Sequence, residues 1–355
     1  MKILYIYKYA ILGGVTTQLV NRLKYLKGKV DAHFLFIQDH GGTKAFNGYE
    51  KVLIENNTTK IAQYIDENKF DFVISIDTME SYEAIKKAKH KSIVISEVHT
   101  TTRNLYNLKL LKKDLPMNAF ITPSSYLKDK IYNELGFKGL RECYVVENCL
   151  DLDKFALEKV SYKHDKRIIG WIGKLDEHKN WRKFIRICSI LNDKLKNLEF
   201  WIIGGYTAPQ YVINEFLDLI NKYNLFDKVK WFSYIPYNKM PRIFNIIRES
   251  GGLYTSTSRD ESFGMTAVEA MACKCPILMP NVGALKEVLD GKLKDHYLYD
   301  ESDDQQYINK INDLLKNNDT LLDYGYKRVN ERYRVDIIGE KYIKTLKKIE
   351  NELVK

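Results

Sequence analysis

Two carboxylates, Glu261 and Glu269, stand with seven residues between them in the stretch Ser256-Thr257-Ser258-Arg259-Asp260-Glu261-Ser262-Phe263-Gly264-Met265-Thr266-Ala267-Val268-Glu269-Ala270-Met271-Ala272. The apolar run before it, Leu253 to Thr257, reads as a buried strand, the small polar residues as a loop, and the chain from Gly264 or Met265 onward as a helix. A helix start offers backbone N–H groups without intrahelical partners and the positive end of the dipole, which together suit a phosphate. Gly264 lets a ligand approach the backbone closely. Glu269, about one turn inside the helix, can accept hydrogen bonds from both hydroxyls of a vicinal diol such as ribose. A first-turn carboxylate also complements a helix dipole without any ligand, so spacing alone leaves both readings open.

Other residues have chemistry to offer. Lys174 and Lys179 follow a strand-like run that ends in Gly173. They read as surface lysines of a lysine-rich chain or, from their place after a glycine-ended strand, as cations for a phosphate. Gly13-Gly14 follows the first apolar run and precedes a helix-like segment, Thr16 to Leu26, where a tight turn and a close approach to phosphate or sugar are both possible. His99 closes the run Ile93 to Val98, at the lip of an expected cleft, and Asp77 stands at the tip of the preceding strand as a weaker candidate or a helix cap. Glu97 with His99 gives two metal-type ligands on one strand tip, a poor set. Asp151-Leu152-Asp153 imitates a metal-binding Asp-x-Asp but has no accompanying carboxylates. The stretch Arg103 to Lys113 spaces leucines helically among basic residues; it suits an interfacial helix drawn to anionic lipid or a surface helix with its leucines turned inward.

The elements that must position these groups recur in two series. Short apolar runs alternate with helically spaced segments, the pattern of βα units on a parallel sheet. The first series comprises Ile3 to Tyr7, His33 to Ile37, Phe72 to Ile76, Ile93 to Val98, Ala119 to Thr122 and Tyr144 to Val146. The second comprises Ile168 to Ile172, Phe200 to Ile203, Val229 to Phe232, Leu253 to Thr257 and Ile277 to Met279. The polar stretch Asp151 to Lys166 lies between them. We expect an α/β protein with a first domain over 1–155, a linker over 156–166, a second domain over 167–334, and an amphipathic helix over 335–355. In open parallel sheets ligands sit at the carboxyl ends of the strands, which is where Gly13, Asp77, His99, Lys174 and Glu261 fall.

Composition sets the bounds. A chain of 355 residues can bury two cores. With 45% hydrophobic and 29% charged residues it has a globular composition. The excess of basic over acidic residues, 56 against 46 or +10, suits anionic partners such as nucleotide diphosphates, lipid headgroups or nucleic acid without choosing among them. Five cysteines, Cys143, Cys149, Cys188, Cys273 and Cys275, lack a Cys-x-x-Cys pair and an even count. They indicate neither a disulfide framework nor a zinc site, and a reducing cytoplasm fits them. No run has the length to span a bilayer, so any membrane contact is expected to be peripheral.

The stretch Glu261-Ser262-Phe263-Gly264-x5-Glu-Ala-Met-Ala resembles the signature of retaining GT-B glycosyltransferases of family four. Other segments match in the same order. Ile169-Gly170-Trp171-Ile172-Gly173-Lys174-Leu175-Asp176-Glu177-His178-Lys179-Asn180 is similar to the segment that grips the diphosphate, and Trp231-Phe232-Ser233-Tyr234-Ile235-Pro236 to the one that meets the base. Pro280 to Val288 is similar to the turn and helix that follow, and Ile121 to Lys128 and Val146 to Phe155 to the end of the first domain.

The resemblance implies two facing Rossmann-like doubly wound domains, the GT-B arrangement, with the C-terminal helix over 335–355 crossing back to pack on the first. It also implies transfer of a sugar from a nucleoside-diphosphate sugar, a UDP-sugar favoured, to a glycan, lipid-linked or small-molecule acceptor, with retained configuration. Glu269 would hold the ribose. Glu261 and the N–H groups of Phe263, Gly264 and Met265 would meet sugar and phosphate, with Gly13, Gly14, Ile235, Ser262 and Thr266 as further donor-binding positions. Lys174 and Lys179 would neutralise the leaving diphosphate, so no metal or other cofactor is implied; the family often has arginine where Lys174 stands, and lysine lacks the bidentate fork. His99 falls where the family has an active-site histidine, with the task of orienting the donor sugar. Thr16 and Thr17 replace the glutamate that often follows the Gly-Gly pair. A role in surface glycan or glycolipid assembly, in the cytoplasm or at the inner membrane face, is implied by analogy. Two alternatives belong to other classes: a nucleotide-sugar 2-epimerase of related architecture, which needs acid and base carboxylates, and a basic nucleic-acid-binding protein, for which the chain carries no recognised motif.

Overall fold

The computed structural model describes residues 1–11, 13–101, 108, 115–160, 165–316 and 320–354. The basic stretch 103–113 therefore lies, except for Leu108, outside the described residues. The chain divides into two compact units, Met1–Asp151 with Tyr333–Lys355, and Leu152–Arg332.

The first unit is built on seven strands: β1 (Lys2–Ala10), β2 (Asp31–Asp39), β3 (Val52–Ile54), β4 (Phe72–Ile76), β5 (Ile93–Glu97), β6 (Ala119–Thr122) and β7 (Glu142–Val145). They form one sheet in the order β3-β2-β1-β4-β5-β6-β7, every neighbouring pair parallel. The second unit has β8 (Arg167–Ile172), β9 (Leu198–Ile203), β10 (Val229–Phe232), β11 (Leu253–Thr255), β12 (Ile277–Pro280) and β13 (Leu298–Tyr299). These lie in the order β10-β9-β8-β11-β12-β13, again all parallel. A parallel sheet is covered on both faces, so its inner strands are apolar without alternation. All five residues of β4 are buried, with Ile3 to Tyr7 on one side and Ile93 to Glu97 on the other. Both units thus have the expected doubly wound, Rossmann-like class.

Each sheet reverses its strand order once, between β1 and β4 in the first unit and between β8 and β11 in the second. A ligand crevice opens at such a reversal, beyond the carboxyl ends of the strands. Gly13 and Asp77 follow the first pair, and Lys174 and Glu261 the second.

The strands β3 and β13 escape the sequence reading because they are too short to show a pattern. The former has three residues, none buried, and the latter only two. Strand β11 stops at Thr255 rather than Thr257: the Ser256 N–H still reaches the Leu278 carbonyl at 3.2 Å, but the Ser258 N–H turns back to the Ser256 hydroxyl at 3.2 Å.

The C-terminal helix, Val335–Val354, inserts Ile338, Tyr342, Leu346 and Ile349 into the first core beside Ile3, Tyr5, Leu19 and Leu23. Where the chain leaves this unit and returns to it, Leu150 pairs in parallel with Arg334, and the Leu150 N–H donates to the Tyr333 carbonyl at 2.7 Å. Asp151 is buried in an ion pair with Lys24 at 2.6 Å.

Candidate active site

In the second unit two loops are stitched together beyond β8 and β11. The Thr257 hydroxyl donates to the carbonyls of Lys179 and Asn180 at 2.9 and 3.0 Å, and itself accepts from the Trp171 indole at 3.0 Å. The Arg259 N–H donates to the His178 carbonyl at 2.9 Å. This stitching brings the Lys179 ammonium to Glu261, Nζ to Oε1, at 2.5 Å. Burial acts to raise the Glu261 carboxyl, but Lys179, joined by Ser258 and His178, holds the group below its ordinary value. Glu261 is thus ionised and its partner cation fixed. The second lysine, Lys174, is exposed and pairs with no described residue.

The backbone at Glu261 is held from the opposite side. The Ala284 N–H donates to the Glu261 carbonyl at 2.9 Å, and the preceding Gly283 has φ of +52°. A Cβ at Gly283 would lie 2.3 Å from that carbonyl oxygen and 2.6 Å from Asp260 Oδ1, so the turn after β12 can pass the loop only as glycine.

The helix expected from Gly264 or Met265 runs Met265–Ala272, with Gly264 at φ +96° as its first cap. Its first turn contains no acidic residue. The Ala267 and Val268 N–H groups turn back to the Gly264 carbonyl at 3.1 and 3.4 Å, no side chain caps the start, and no acidic residue in the turn offsets the dipole. Phe263 and Met265 are buried, while Ser262 and Thr266 are partly exposed beside them. Thr266 accepts from the Tyr254 hydroxyl at 2.7 Å.

Glu269 is buried at 4% exposure, and among the described residues its carboxyl has one hydrogen bond, from the Tyr237 hydroxyl to Oε1 at 3.2 Å. Burial pushes its carboxyl from 4.5 up to about 8, and Tyr237 only partly opposes this. A helix whose carboxylate merely complemented the dipole would keep it solvated. Tyr237, two residues beyond the partly exposed Ile235, rests its ring on Phe155 with centroids 5.2 Å apart. It was not anticipated from the sequence, since a tyrosine after Pro236 carries no spacing signal. A cavity of about 550 Å³, bordered by Asn180 and Arg259 of the two stitched loops, is also lined by Arg182, Lys183 and Arg186. Those cations are already matched, Arg182 to Glu177 and Glu215, and both Lys183 and Arg186 to Asp304.

In the first unit the residues beyond β1, β4 and β5 form a second polar group. Gly13 and Gly14 open the helix Gly14–Leu26, and Thr16 and Thr17 are buried in its first turn. Glu97, at 1% exposure, receives the Arg22 guanidinium as a fork: Nη1 donates to Oε2 at 2.9 Å and Nη2 to Oε1 at 2.7 Å. His99 reaches the same carboxylate, Nε2 to Oε1 at 2.8 Å, and its backbone N–H meets both oxygens of Asp77 at 3.1 and 3.2 Å. Asp77 is held at φ +44°. Burial pushes its carboxyl up to about 6 against the attraction of His99. Asp77 thus anchors the His99 backbone instead of capping a helix through its side chain. Arg22 escaped the sequence reading, although a buried arginine on an otherwise core-facing helix was the available signal. Among the described residues no group of three His, Cys, Asp or Glu could hold a metal ion, and the five cysteines are buried and form no disulfide.

Residues 153–332 match the family model of glycosyl transferases group 1. The chain belongs to this family. Among curated relatives, a probable sucrose-phosphate synthase of Thermosipho melanesiensis is 28% identical over 121 residues, 34% of this chain and 28% of that protein. The capsular polysaccharide biosynthesis glycosyltransferase CapM of Staphylococcus aureus is 22% identical over 231 residues, 62% of this chain and 56% of that one. The matches thus span about a quarter to a half of these relatives' length. Whole-chain likeness comes from solved structures. Anabaena Alr3699/HepE, in complex with UDP and glucose, superposes with a TM-score of 0.83 at 16% identity, over 98% of this chain and 100% of that one. A sucrose-phosphate synthase from Thermosynechococcus elongatus gives 0.78 at 14% identity, over 99% of each chain. At such identities these likenesses carry the fold, which is GT-B. No helix of the described residues is long and apolar enough to cross a membrane.

Proposed function

We propose that this group 1 glycosyltransferase moves a hexosyl group from a nucleoside-diphosphate sugar to an acceptor hydroxyl with retention of anomeric configuration, and that UDP is the carrier. The observation that carries this reading is the Lys179–Glu261 pair beside the start of the helix Met265–Ala272, with Glu269 buried one turn further in. The diphosphate takes its place at the helix start, among the N–H groups of Phe263, Gly264 and Met265, with Ser262 and Thr266 as flanking hydroxyls. Lys179 and Lys174 face the diphosphate, Glu269 the ribose, and Ile235 the base. Gly13 and Gly14 meet donor or acceptor, and His99 bonds a hydroxyl of the donor sugar.

In the transfer step the bond between C1 and the phosphate oxygen breaks with its electron pair going to the diphosphate. The acceptor oxygen attacks the same face of C1, and its proton passes to a diphosphate oxygen. Charge grows on the diphosphate as that bond breaks. Preplaced cations and N–H dipoles therefore stabilise the transition state more than the bound donor. The complexes of Anabaena Alr3699/HepE with UDP and glucose and with UDP-glucose favour UDP as the carrier. The name of CapM favours a surface polysaccharide or related glycan as the acceptor class. Peripheral contact with anionic lipid, on the cytoplasmic side, belongs to the same reading.

The test is a thermal-shift comparison of UDP, GDP, ADP and their sugars, followed by turnover of the stabilising donor and assignment of the product anomer by NMR. UDP-sugars should stabilise, the product should keep the donor's configuration, Glu269→Ala should weaken donor binding, and Lys179→Ala should mainly lower kcat. No stabilisation by any nucleotide sugar, an inverted product, or an epimerised sugar formed without acceptor would each overturn the proposal.

A further inference from the structure

Glu97 sits at the end of β5 with four hydrogen bonds converging on its two oxygens. Oε1 meets Arg22 Nη2 at 2.7 Å and His99 Nε2 at 2.8 Å. Oε2 meets Arg22 Nη1 at 2.9 Å and the Tyr342 hydroxyl at 3.1 Å. Tyr342 comes from the C-terminal helix, 245 positions further along the chain, and the Arg22 guanidinium also lies over its ring at 3.9 Å. Arg22, Glu97 and Tyr342 are all buried.

Burial alone would raise the Glu97 carboxyl, but the Arg22 charge and His99 hold it far below the usual carboxylate range. An ionised carboxylate has no proton to give. The hydrogen between Glu97 Oε1 and His99 Nε2 therefore resides on Nε2, whatever the charge of the ring. The backbone of His99 is fixed as well, by Asp77. Its other ring nitrogen, Nδ1, makes no hydrogen bond among the described residues. In the neutral ring Nδ1 is the lone-pair acceptor.

We propose that Glu97 is a positioning residue for His99, held in place by Arg22 and by Tyr342 of the C-terminal helix, so that His99 stands as the Nε2–H tautomer and offers Nδ1 as acceptor to a sugar hydroxyl. This rests on the reading above that His99 meets the donor sugar. A buried ion pair is a poor source of stability, since apolar residues of the same volume commonly do as well. Its place at a strand tip, bound to the ring of a candidate site residue, gives it a different task. The arrangement also gives the C-terminal helix a part in the chemistry: one of its core tyrosines completes the shell of the carboxylate that orients the histidine.

The inference is tested in the full-length protein labelled with ¹⁵N-histidine, by long-range ¹H–¹⁵N correlation at pH values where the His99 ring is neutral, with His99→Ala to assign the signal. The wild type should show a protonated Nε2 and an unprotonated Nδ1, and Glu97→Gln should bring in the Nδ1–H form. Tyr342→Phe keeps the ion pair and the ring stack, so it should fold even if Glu97→Gln does not. It should lower kcat several-fold with KM for the donor nearly unchanged, while Glu97→Gln should cost about tenfold or more, as a histidine released into the wrong tautomer does. An Nδ1–H ring in the wild type, or a Tyr342→Phe variant with unchanged kcat, would overturn the proposal. Failure of the underlying reading looks different: His99→Ala would transfer normally, or the wild type would transfer from no nucleotide sugar, while the wild-type tautomer remained Nε2–H.

Discussion

Glu269 is a carboxyl that the fold makes harder to ionise, and that cost becomes measurable as a dependence on pH. Burial raises it from 4.5 to about 8, so between those values the folded chain keeps a proton that the unfolded chain has lost. The unfolded state then binds fewer protons, and stability falls as pH rises through the window, levelling off above about 8. Glu269→Gln should remove this slope, so urea unfolding between pH 5 and 8 should show the variant gaining on the wild type as pH increases. Nucleotide binding should run the other way. Two ribose hydroxyls donating to Glu269 need it ionised, so UDP affinity should improve with pH up to about 8 in the wild type, and in Glu269→Gln be weaker and flat by calorimetry. Equal slopes in the two proteins would dissociate Glu269 from the nucleotide. At this scale the sequence showed the residues whose neighbours are local. Glu261, Gly264 and Glu269 sit on one strand-loop-helix unit, where order along the chain is nearly order in space. Tyr237 and Arg22 did not show, because each reaches its carboxylate from a distant element, 32 and 75 positions away.

The elements behind the site act through backbone geometry, where a single methyl group is a sharp probe. Gly283→Ala would place a Cβ against the backbone of Glu261 at a left-handed φ. The conformation alone costs roughly 1–2 kcal/mol for a non-glycine residue. The contact cannot relax without moving the loop that carries Glu261. We expect the variant to lose about 2 kcal/mol or more in denaturant unfolding and most of the stabilisation by UDP. A variant that loses stability but keeps full UDP stabilisation would mean that the loop moves without consequence for the ligand. Inner strands were legible for a related reason. Runs such as Phe72 to Ile76 are buried on both faces, so apolarity alone marks them. The strands β3 and β13 have only three and two residues, too few for a local pattern to mark them.

On the scale of the whole chain, the first unit is discontinuous: Met1–Asp151 is completed by Tyr333–Lys355 after the second unit has been threaded between them. The returning helix is part of the core, with Tyr342 and Leu346 at 0% exposure. The amphipathic pattern of the tail showed that a helix had an apolar face to bury; which core received it depended on the resemblance, because pattern does not encode distance. With a separate core in each unit, unfolding is expected to depart from a single two-state transition. Leu346→Ala should cost about 2–5 kcal/mol in the first core, and in calorimetry should lower one transition while leaving the other near its wild-type midpoint. UDP should discriminate between the same two transitions, because a ligand raises the stability of the part it binds. If its main contacts are the Met265–Ala272 helix, Lys179 and Glu269, the transition that UDP raises is the one that Leu346→Ala spares. Should UDP and Leu346→Ala act on the same transition, either the two units unfold as one or the nucleotide is held chiefly by the first, and the donor site would have to be sought around Gly13 and His99 instead.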